Sequence, residues 1–216
     1  MRSALTRIGR VLGCTAVLAL VSTGCSAPSN QYLGDQTSGV IVQIPKSWKV
    51  IESAEMLAVT ANRVPQADTA ALSRWLYGFS ADSTAVGETI LQLGGTKPSG
   101  MVRSRYFLNS EIDGRGWTVT NLLNSLNDMA ILPGGGNISS RQGGGVYTNS
   151  GVNGVRYTLE LTFPDGKMTV QYVAVVDILH GQLNTLIIGC SSECYSIWSA
   201  EINRVAESFT VMPPKP

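Results

Sequence analysis

The chain has 216 residues, of which 44% are hydrophobic and 14% charged, with a formal net charge of +1 and a single histidine, His180. This near-neutral balance excludes the strongly basic surface that nucleic-acid binding requires. A single histidine also excludes a histidine-rich metal site, and any nucleophile activated by histidine would have to use His180. The length is sufficient for one domain with a substantial core.

Residues 1–24 have the pattern of a secretory signal peptide. Arg2, Arg7 and Arg10 precede a short apolar stretch, VLGCTAVLALVST. That stretch is shorter than the roughly 20 residues that a membrane-spanning helix needs, so we expect it to be removed after export. Small residues then lead into Cys25, and this junction resembles the lipobox of bacterial lipoproteins, in which the cysteine thiol receives a diacylglycerol.

The lipobox resemblance implies that Cys25 is lipidated and holds the mature chain to the extracytoplasmic face of the cell membrane by fatty acyl chains such as palmitate. Each buried methylene contributes about 0.8 kcal/mol, so two chains give firm anchoring. Ordinary signal cleavage near Ala27, giving a soluble secreted protein, is the alternative. The cysteine count favours lipidation, because with Cys14 in the signal and Cys25 acylated the remaining cysteines form an even pair.

Residues 25–38 are predicted to form a lipidated N-terminus followed by a disordered tether, because they contain few apolar residues and many turn formers. A single globular domain is expected over residues 39–212, with a short tail at 213–216. The alternation of residues in VIVQIP predicts a first strand at residues 40–45 that ends at a proline.

The middle of the chain gives weaker patterns. The segments RWLYGFS, TILQLGG and MVRSRYFLNS favour strands. A helix is the alternative for the first of them, because Leu72, Trp75, Leu76 and Phe79 also fit helical spacing. An apolar stripe through TVTNLLNSLNDMAI, from Val119 to Met129, predicts a helix that ends before Pro133. The glycine-rich GGGNISSRQGGG that follows is predicted to be a flexible connection, because it lacks the lysine and the helix start of a phosphate-binding loop.

The last third of the chain predicts an antiparallel meander and a terminal helix. GVRYTLELTF alternates apolar and polar residues, KMTVQYVAVVDIL is apolar on both sides from Val173 to Val176, and QLNTLIIGC follows. The strand at residues 168–179 should therefore be central and covered on both faces. SECYSIWSAEINRVAESF predicts a helix capped by Ser191 or Ser192. Its expected buried stripe contains Cys194, Ile197, Trp198, Ile202, Val205 and Phe209.

Two short motifs carry a fold resemblance. A first strand ending in IP-x-x-W (Ile44, Pro45, Trp48) and a terminal helix ending in SF-x-V (Ser208 to Val211) flank the meander. Over residues 39–212 this arrangement resembles the PsbP-like α/β/α sandwich, which actinobacterial Lpq-type lipoproteins are thought to share. The resemblance implies an α+β fold with helices packed on an antiparallel sheet. It implies a binding or assembly protein and supplies no catalytic residues.

Two residue pairs are candidate sites. Cys190 and Cys194 bracket CSSEC where a strand meets a helix, so a structural disulfide is expected outside the cytoplasm, with a redox pair or metal clip as the alternative. Arg103 and Arg105 alternate along one strand and could bind an anionic headgroup or phosphate. The alternative is that they are ordinary charges on an outward strand face.

The remaining ionisable residues give no catalytic pattern. Glu52 with Glu55, and Glu111 with Asp113, are expected in solvated loops, and His180 in an exposed turn. No G-x-S-x-G motif is present.

The sequence therefore predicts a membrane-anchored cell-envelope lipoprotein that binds a partner protein or an envelope component, without enzymatic activity, cofactor or metal. A carrier of lipid or glycolipid, with an apolar cavity between sheet and helices, is the first alternative. An envelope hydrolase is the second.

Overall fold

The computed structural model describes residues 29–63, 73–107, 137–149, 152–164, 166–177 and 181–212. In these residues the strands form two antiparallel sheets, a small one in the order β1-β2-β10 and a large one in the order β3-β4-β5-β9-β8-β7-β6. The strands are β1 (Asn30–Asp35), β2 (Val40–Pro45), β3 (Lys49–Ile51), β4 (Ser73–Ser80), β5 (Ser99–Tyr106), β6 (Asn137–Asn149), β7 (Val152–Phe163), β8 (Gly166–Asp177), β9 (Gln182–Ser191) and β10 (Thr210–Val211). The helices are α1 (Ser53–Arg63), α2 (Gly87–Ile90) and α3 (Ser192–Ser208).

The large sheet lies between two apolar layers, so its central strands are buried on both faces. On β8, Val170 and Tyr172 belong to a cluster that includes Met56 of α1 and other apolar residues of that face. Val173 and Val175 point to the other face, into a cluster with apolar residues of α3 and of the small sheet. This arrangement confirms, as far as Asp177, the prediction that strand 168–179 is central and covered on both sides.

Helix α3 begins where the sequence predicts, because the Ser191 hydroxyl accepts a hydrogen bond from the Cys194 N–H at 3.2 Å and so caps the first turn. Its buried stripe differs from the predicted one at Ile197, which is 75% exposed. At 3.6 residues per turn, Ile197 lies roughly 120° around the helix from the centre of the face that buries Ile202 and Phe209.

The predicted tether over residues 25–38 is wrong from Asn30 onward, because β1 pairs with the whole of β2. Leu33 is buried against the core, and the Gln31 side-chain amide donates to the carbonyls of Pro45 and Trp48. Composition does not predict this strand, because main-chain hydrogen bonds to β2 and one buried apolar side chain, Leu33, hold it in place. The turn after β1 ends at Gly39, whose positive φ of 70° suits glycine.

The predicted flexible connection in GGGNISSRQGGG is also wrong over its described part, because residues from Asn137 onward form β6, at the end of the large sheet. The β6–β7 ladder shifts register twice, once between Gly143 and Val146. Gly143 has a φ of 79° at that shift. A strand bordered by a register irregularity accepts glycine more readily than a regular central strand does.

In the middle of the chain, β4 and β5 confirm the strands predicted for RWLYGFS and MVRSRY. TILQLGG is not a strand: it contains the end of α2 and the loop that follows it. Glu55 lies in α1 and not in a loop. The predicted helix of residues 119–129, together with Glu111, Asp113, His180 and Cys25, lies outside the described residues. In the part that is described, no helix has the length and hydropathy to cross a membrane.

Candidate functional site

Arg103 and Arg105 lie on the same face of β5, and both are buried, with 3% and 2% of their surface exposed. The alternative of an outward, solvated strand face is therefore wrong. Arg103 Nε donates to Ser73 Oγ at 2.7 Å, and Arg105 Nη1 donates to the Tyr106 carbonyl at 3.0 Å. Both faces of this strand are covered, and alternation alone cannot reveal that. Anion binding by these arginines stays a prediction.

Cys190 and Cys194 form a disulfide, with their Cα atoms 5.8 Å apart. Cys190 belongs to β9 and Cys194 to the first turn of α3, and both are buried in the apolar cluster on the α3 side of the sheet. The bond therefore links the end of the sheet covalently to the start of the helix. This is the position that the CSSEC spacing predicts.

A cleft of about 830 Å³ opens at this same end of the large sheet. Its walls come from the segment after β4, from α2 and the loop after it, from the β7–β8 hairpin, and from the residue that caps α3. The residues that line it are Ser80, Asp82, Ala85, Thr89, Gln92, Gly94, Gly95, Thr96, Lys97, Ser99, Phe163, Gly166, Lys167, Met168 and Ser191.

The loop of residues 91–98 forms one wall of the cleft and is held at two points. Leu93 is fully buried in the core although its φ is +51°, a left-handed conformation that costs a residue with a Cβ about 1 kcal/mol or more. Two residues later the Gly95 carbonyl accepts a hydrogen bond from the Ser191 N–H at 3.0 Å. The wall is thereby fixed both to the core and to the start of α3.

The charges at the cleft are compensated in pairs. Lys97 Nζ lies 3.7 Å from Asp82 Oδ1, and Lys167 Nζ lies 3.1 Å from Glu160 Oε1. Hydrogen bonds from the backbone and side chain of Thr84 lower the pKa of Asp82, and Lys97 adds to this effect. A hydrogen bond from Lys167, with another from Ser139, lowers the pKa of Glu160. Both carboxylates are therefore ionised at neutral pH.

The other described residues that line the cleft are neutral. Hydroxyl and carboxamide groups stand beside the half-buried ring of Phe163 and the buried thioether of Met168. Ser80 Oγ donates to the Pro98 carbonyl at 3.2 Å and accepts from the Asp82 N–H at 3.0 Å, so this part of the wall is fixed by its own bonds.

Sequence reasoning missed this cleft because its residues come from the β4–β5 connection, the β7–β8 hairpin and the end of β9, which are far apart in the chain. Ser99 and Ser191 come together only because β5 pairs with β9. The residue types give a weak signal at best, since GGTKP and hairpin turns are common in loops. No group of three or more histidine, cysteine or acidic residues suited to a metal occurs among the described residues.

Comparison with solved structures finds a similarity to cyanobacterial PsbP (CyanoP) from Synechocystis sp. PCC 6803, with 16% sequence identity and a TM-score of 0.52 over 87% of this chain and 95% of that one. The domain therefore has the PsbP-like α+β fold, as the sequence resemblance predicts. No protein-family model and no curated protein matches the chain.

Two further solved structures are more distant. LpqN, described as involved in cell envelope biogenesis of Mycobacterium tuberculosis, has 15% identity and a TM-score of 0.44 over 85% of this chain and 91% of that one. The Ran-binding protein Mog1p of Saccharomyces cerevisiae has 10% identity and a TM-score of 0.43 over 84% of this chain and 95% of that one.

Proposed function

We propose that this chain is an exported, lipid-anchored protein of the cell envelope whose PsbP-like domain binds an envelope component in the cleft at the end of the large sheet. Cys25 would carry the acyl chains and place the domain on the extracytoplasmic face of the cell membrane. The domain would act as a binding or assembly module, without catalysis.

The cleft is the observation that carries this proposal. Its volume of about 830 Å³ lies within the roughly 300–1,000 Å³ of small-molecule sites. Acid–base catalysis requires a group whose pKa lies near the working pH. The pKa values of Asp82 and Glu160 are instead lowered by their hydrogen bonds, so both groups act as fixed charges. This electrostatic arrangement favours binding over proton transfer.

The wall chemistry of this cleft also favours a polar ligand over the acyl chain that a lipid carrier would bind. An acyl chain in this cleft would remove water from hydroxyl, amide and ammonium groups without offering them hydrogen bonds. Burying a polar group in that way costs about 1–3 kcal/mol in proteins. The bound component should therefore present polar groups to the cleft.

The anchor is tested on protein isolated from the native host. Mass spectrometry of the mature N-terminus should find acylated Cys25 in the membrane fraction, and Cys25→Ala should release the chain to the culture fluid. An unmodified thiol at Cys25, or an N-terminus near Ala27 in wild-type protein, would refute the anchor.

The cleft is tested on the same detergent-extracted full-length protein by native mass spectrometry. Thr96→Trp should fill the cleft and abolish retention of an envelope component that copurifies with the wild-type protein. Ser196→Trp, at an exposed position of α3, is the matched control and should retain it. Equal retention by both variants, or none by the wild type, would contradict the proposed site.

A further inference from the structure

We infer that the cleft binds a carbohydrate, with sugar hydroxyls paired to its neutral polar side chains and a sugar ring packed on Phe163. This inference deepens the proposed function and rests on it, because it names the ligand class of the same cleft. Four features of the cleft carry it: the charge balance, the neutral polar groups, the apolar surface and the fixed wall.

The charge balance argues against a small anion as the ligand. Lys97 and Lys167 each lie within 3.7 Å of a carboxylate oxygen, from Asp82 and Glu160 respectively. An anion bound to these lysines would lie close to both ionised carboxylates. Repulsion between like charges at short range would weaken its binding. A neutral ligand leaves both ion pairs in place and can bond to their unused donors and acceptors.

The neutral polar groups match the hydrogen bonding of sugar hydroxyls. A hydroxyl donates one hydrogen bond and accepts others, and a carboxamide does both, so such groups pair with sugar hydroxyls in either direction. Ser191 Oγ already accepts from the Cys194 N–H, which leaves its own proton to donate. The neutral polar lining that the structure describes consists of Ser80, Thr89, Gln92, Thr96, Ser99 and Ser191. Ser80 and Thr89 already donate to the carbonyls of Pro98 and Val86, so these two can only accept from a sugar hydroxyl.

The apolar surface of the cleft is small and adjoins these polar groups. Phe163 is half-buried and packs against the core cluster, and Met168 is buried in that cluster. A pyranose ring is polar at its rim and has a face of C–H groups, so it can pack on an aromatic ring while its hydroxyls reach the polar walls. An aromatic ring buries a large apolar area, which makes Phe163 the expected packing surface.

The wall formed by the loop of residues 91–98 is preorganised. Leu93 holds a strained backbone conformation with its side chain in the core, and Gly95 is bonded to Ser191. Gly94 and Gly95 carry no side chains, so a ligand can approach the main chain there. A wall fixed before binding lowers the ordering cost that a ligand must offset.

The first experiment uses the full-length protein in detergent. Trisaccharides built from glucose, mannose, galactose, arabinose or N-acetylglucosamine are the probes, with inorganic phosphate and sodium dodecanoate for comparison, measured by saturation-transfer NMR and calorimetry. At least one trisaccharide should bind, and its affinity should change less than twofold between 50 and 300 mM NaCl, because no net charge is neutralised.

Matched variants then separate a carbohydrate from an anion. Lys97→Gln/Lys167→Gln removes both cations but keeps a donor at each position, so a bound trisaccharide should lose no more than about threefold in affinity, whereas an anion should lose more than tenfold. Thr96→Val and Gln92→Leu should each weaken trisaccharide binding about three- to tenfold, the range for one lost hydrogen bond. Phe163→Leu should weaken trisaccharide binding by more than either of these two variants. Ser196→Ala is the control and should leave the affinity unchanged.

The outcomes distinguish this inference from the proposed function. Binding of phosphate or dodecanoate in the cleft, without any trisaccharide, overturns the carbohydrate inference and leaves a binding cleft. Trisaccharide binding that survives Thr96→Trp places the sugar elsewhere and overturns the inference as well. If Thr96→Trp also leaves retention of the native component unchanged, the proposed function of the cleft fails independently.

Discussion

Ser104 on β5 and Asn184 on β9 are register partners in the large sheet, and both side chains are fully buried. Neither Ser104 Oγ nor the Asn184 carboxamide has a hydrogen-bond partner among the residues that the structure describes, and the same holds for Gln182 Oε1 on the same strand. Buried polar groups without partners are costly, so this part of the sheet is under a stability penalty.

Asn184→Leu should therefore raise the free energy of unfolding by about 1–3 kcal/mol, because it removes two unpaired polar groups at similar side-chain volume. Gln171→Leu is the matched control, since Gln171 is also buried but bonds to Thr158 Oγ1 and to the Tyr195 hydroxyl. That change should lower the unfolding free energy by about 2–3 kcal/mol. Urea titration measures both, and equal destabilisation would show that Asn184 has a polar partner, such as an enclosed water.

At position 93 we expect a glycine variant to be more stable than an alanine variant, the reverse of the usual order. Alanine is usually more stable than glycine by about 0.5–1 kcal/mol within regular structure, but a φ of +51° penalises any Cβ. Leu93→Ala and Leu93→Gly both lose the buried side chain and should each destabilise the fold by roughly 2–5 kcal/mol. The glycine variant should be the more stable of the two in chemical denaturation. An alanine variant that is more stable by 0.5–1 kcal/mol would refute the strain.

The disulfide should contribute about 2 kcal/mol, because it closes a loop of only a few residues. Cys190→Ala/Cys194→Ala should lower the unfolding free energy by that amount and leave the sheet intact by circular dichroism. Reduction of the wild-type protein provides the control, since it breaks the bond without removing sulfur. A loss below 0.5 kcal/mol in both cases would show that the chain-entropy account of the bond is wrong.

The two ion pairs at the cleft should respond differently to loss of their lysines. The Lys167 hydrogen bond is the largest cause of the lowered pKa of Glu160, so Lys167→Gln should raise the pKa of that carboxyl clearly. Thr84 is the largest cause at Asp82, so Lys97→Gln should leave the pKa of Asp82 below its ordinary value. Carboxyl NMR titrations of the two variants measure both values. A larger rise at Asp82 than at Glu160 would contradict this order.

The direction of the pH dependence follows from these lowered pKa values. A carboxyl whose pKa is lower in the folded protein favours folding above its unfolded pKa, and this contribution disappears as the pH falls through the folded value. Asp82 and Glu160 therefore add stability at neutral pH that is lost in acid. Because both side chains are partly exposed to solvent, high salt should reduce this contribution to stability.

Alternation of apolar and polar residues predicts one buried face of a strand, but not whether the other face is also buried. Tyr157, Leu159 and Leu161 alternate with polar residues, and their side chains are buried in one cluster as that period requires. The same alternation could not show that Arg103 is buried, because burial of the second face depends on what packs there. The exposure of Ile197 is not predicted either, because hydrophobicity alone does not determine which side of a helix faces the core.

The cleft could not be predicted for a different reason. Its residues lie at strand ends and in the connections between them, and composition does not show which of these segments become neighbours. Lys97 and Lys167 belong to distant parts of the chain and line one cleft because β9 lies between β5 and β8 in the sheet. That strand order is a property of the whole fold, and short-range patterns do not contain it.

The early start of β1 shortens the linker between Cys25 and the folded domain. The Ser29 carbonyl accepts a hydrogen bond from the Lys46 N–H at 3.0 Å, so the chain is fixed from Ser29 onward. From an acylated Cys25 the free span is then at most roughly 15 Å, at about 3.6 Å per extended residue. Lys49, three residues after Lys46, pairs with Ser80, which lines the cleft. If Cys25 is acylated as proposed, a linker this short would keep the domain close to the lipid headgroups, so that it meets ligands of the bilayer surface before those of the surrounding fluid.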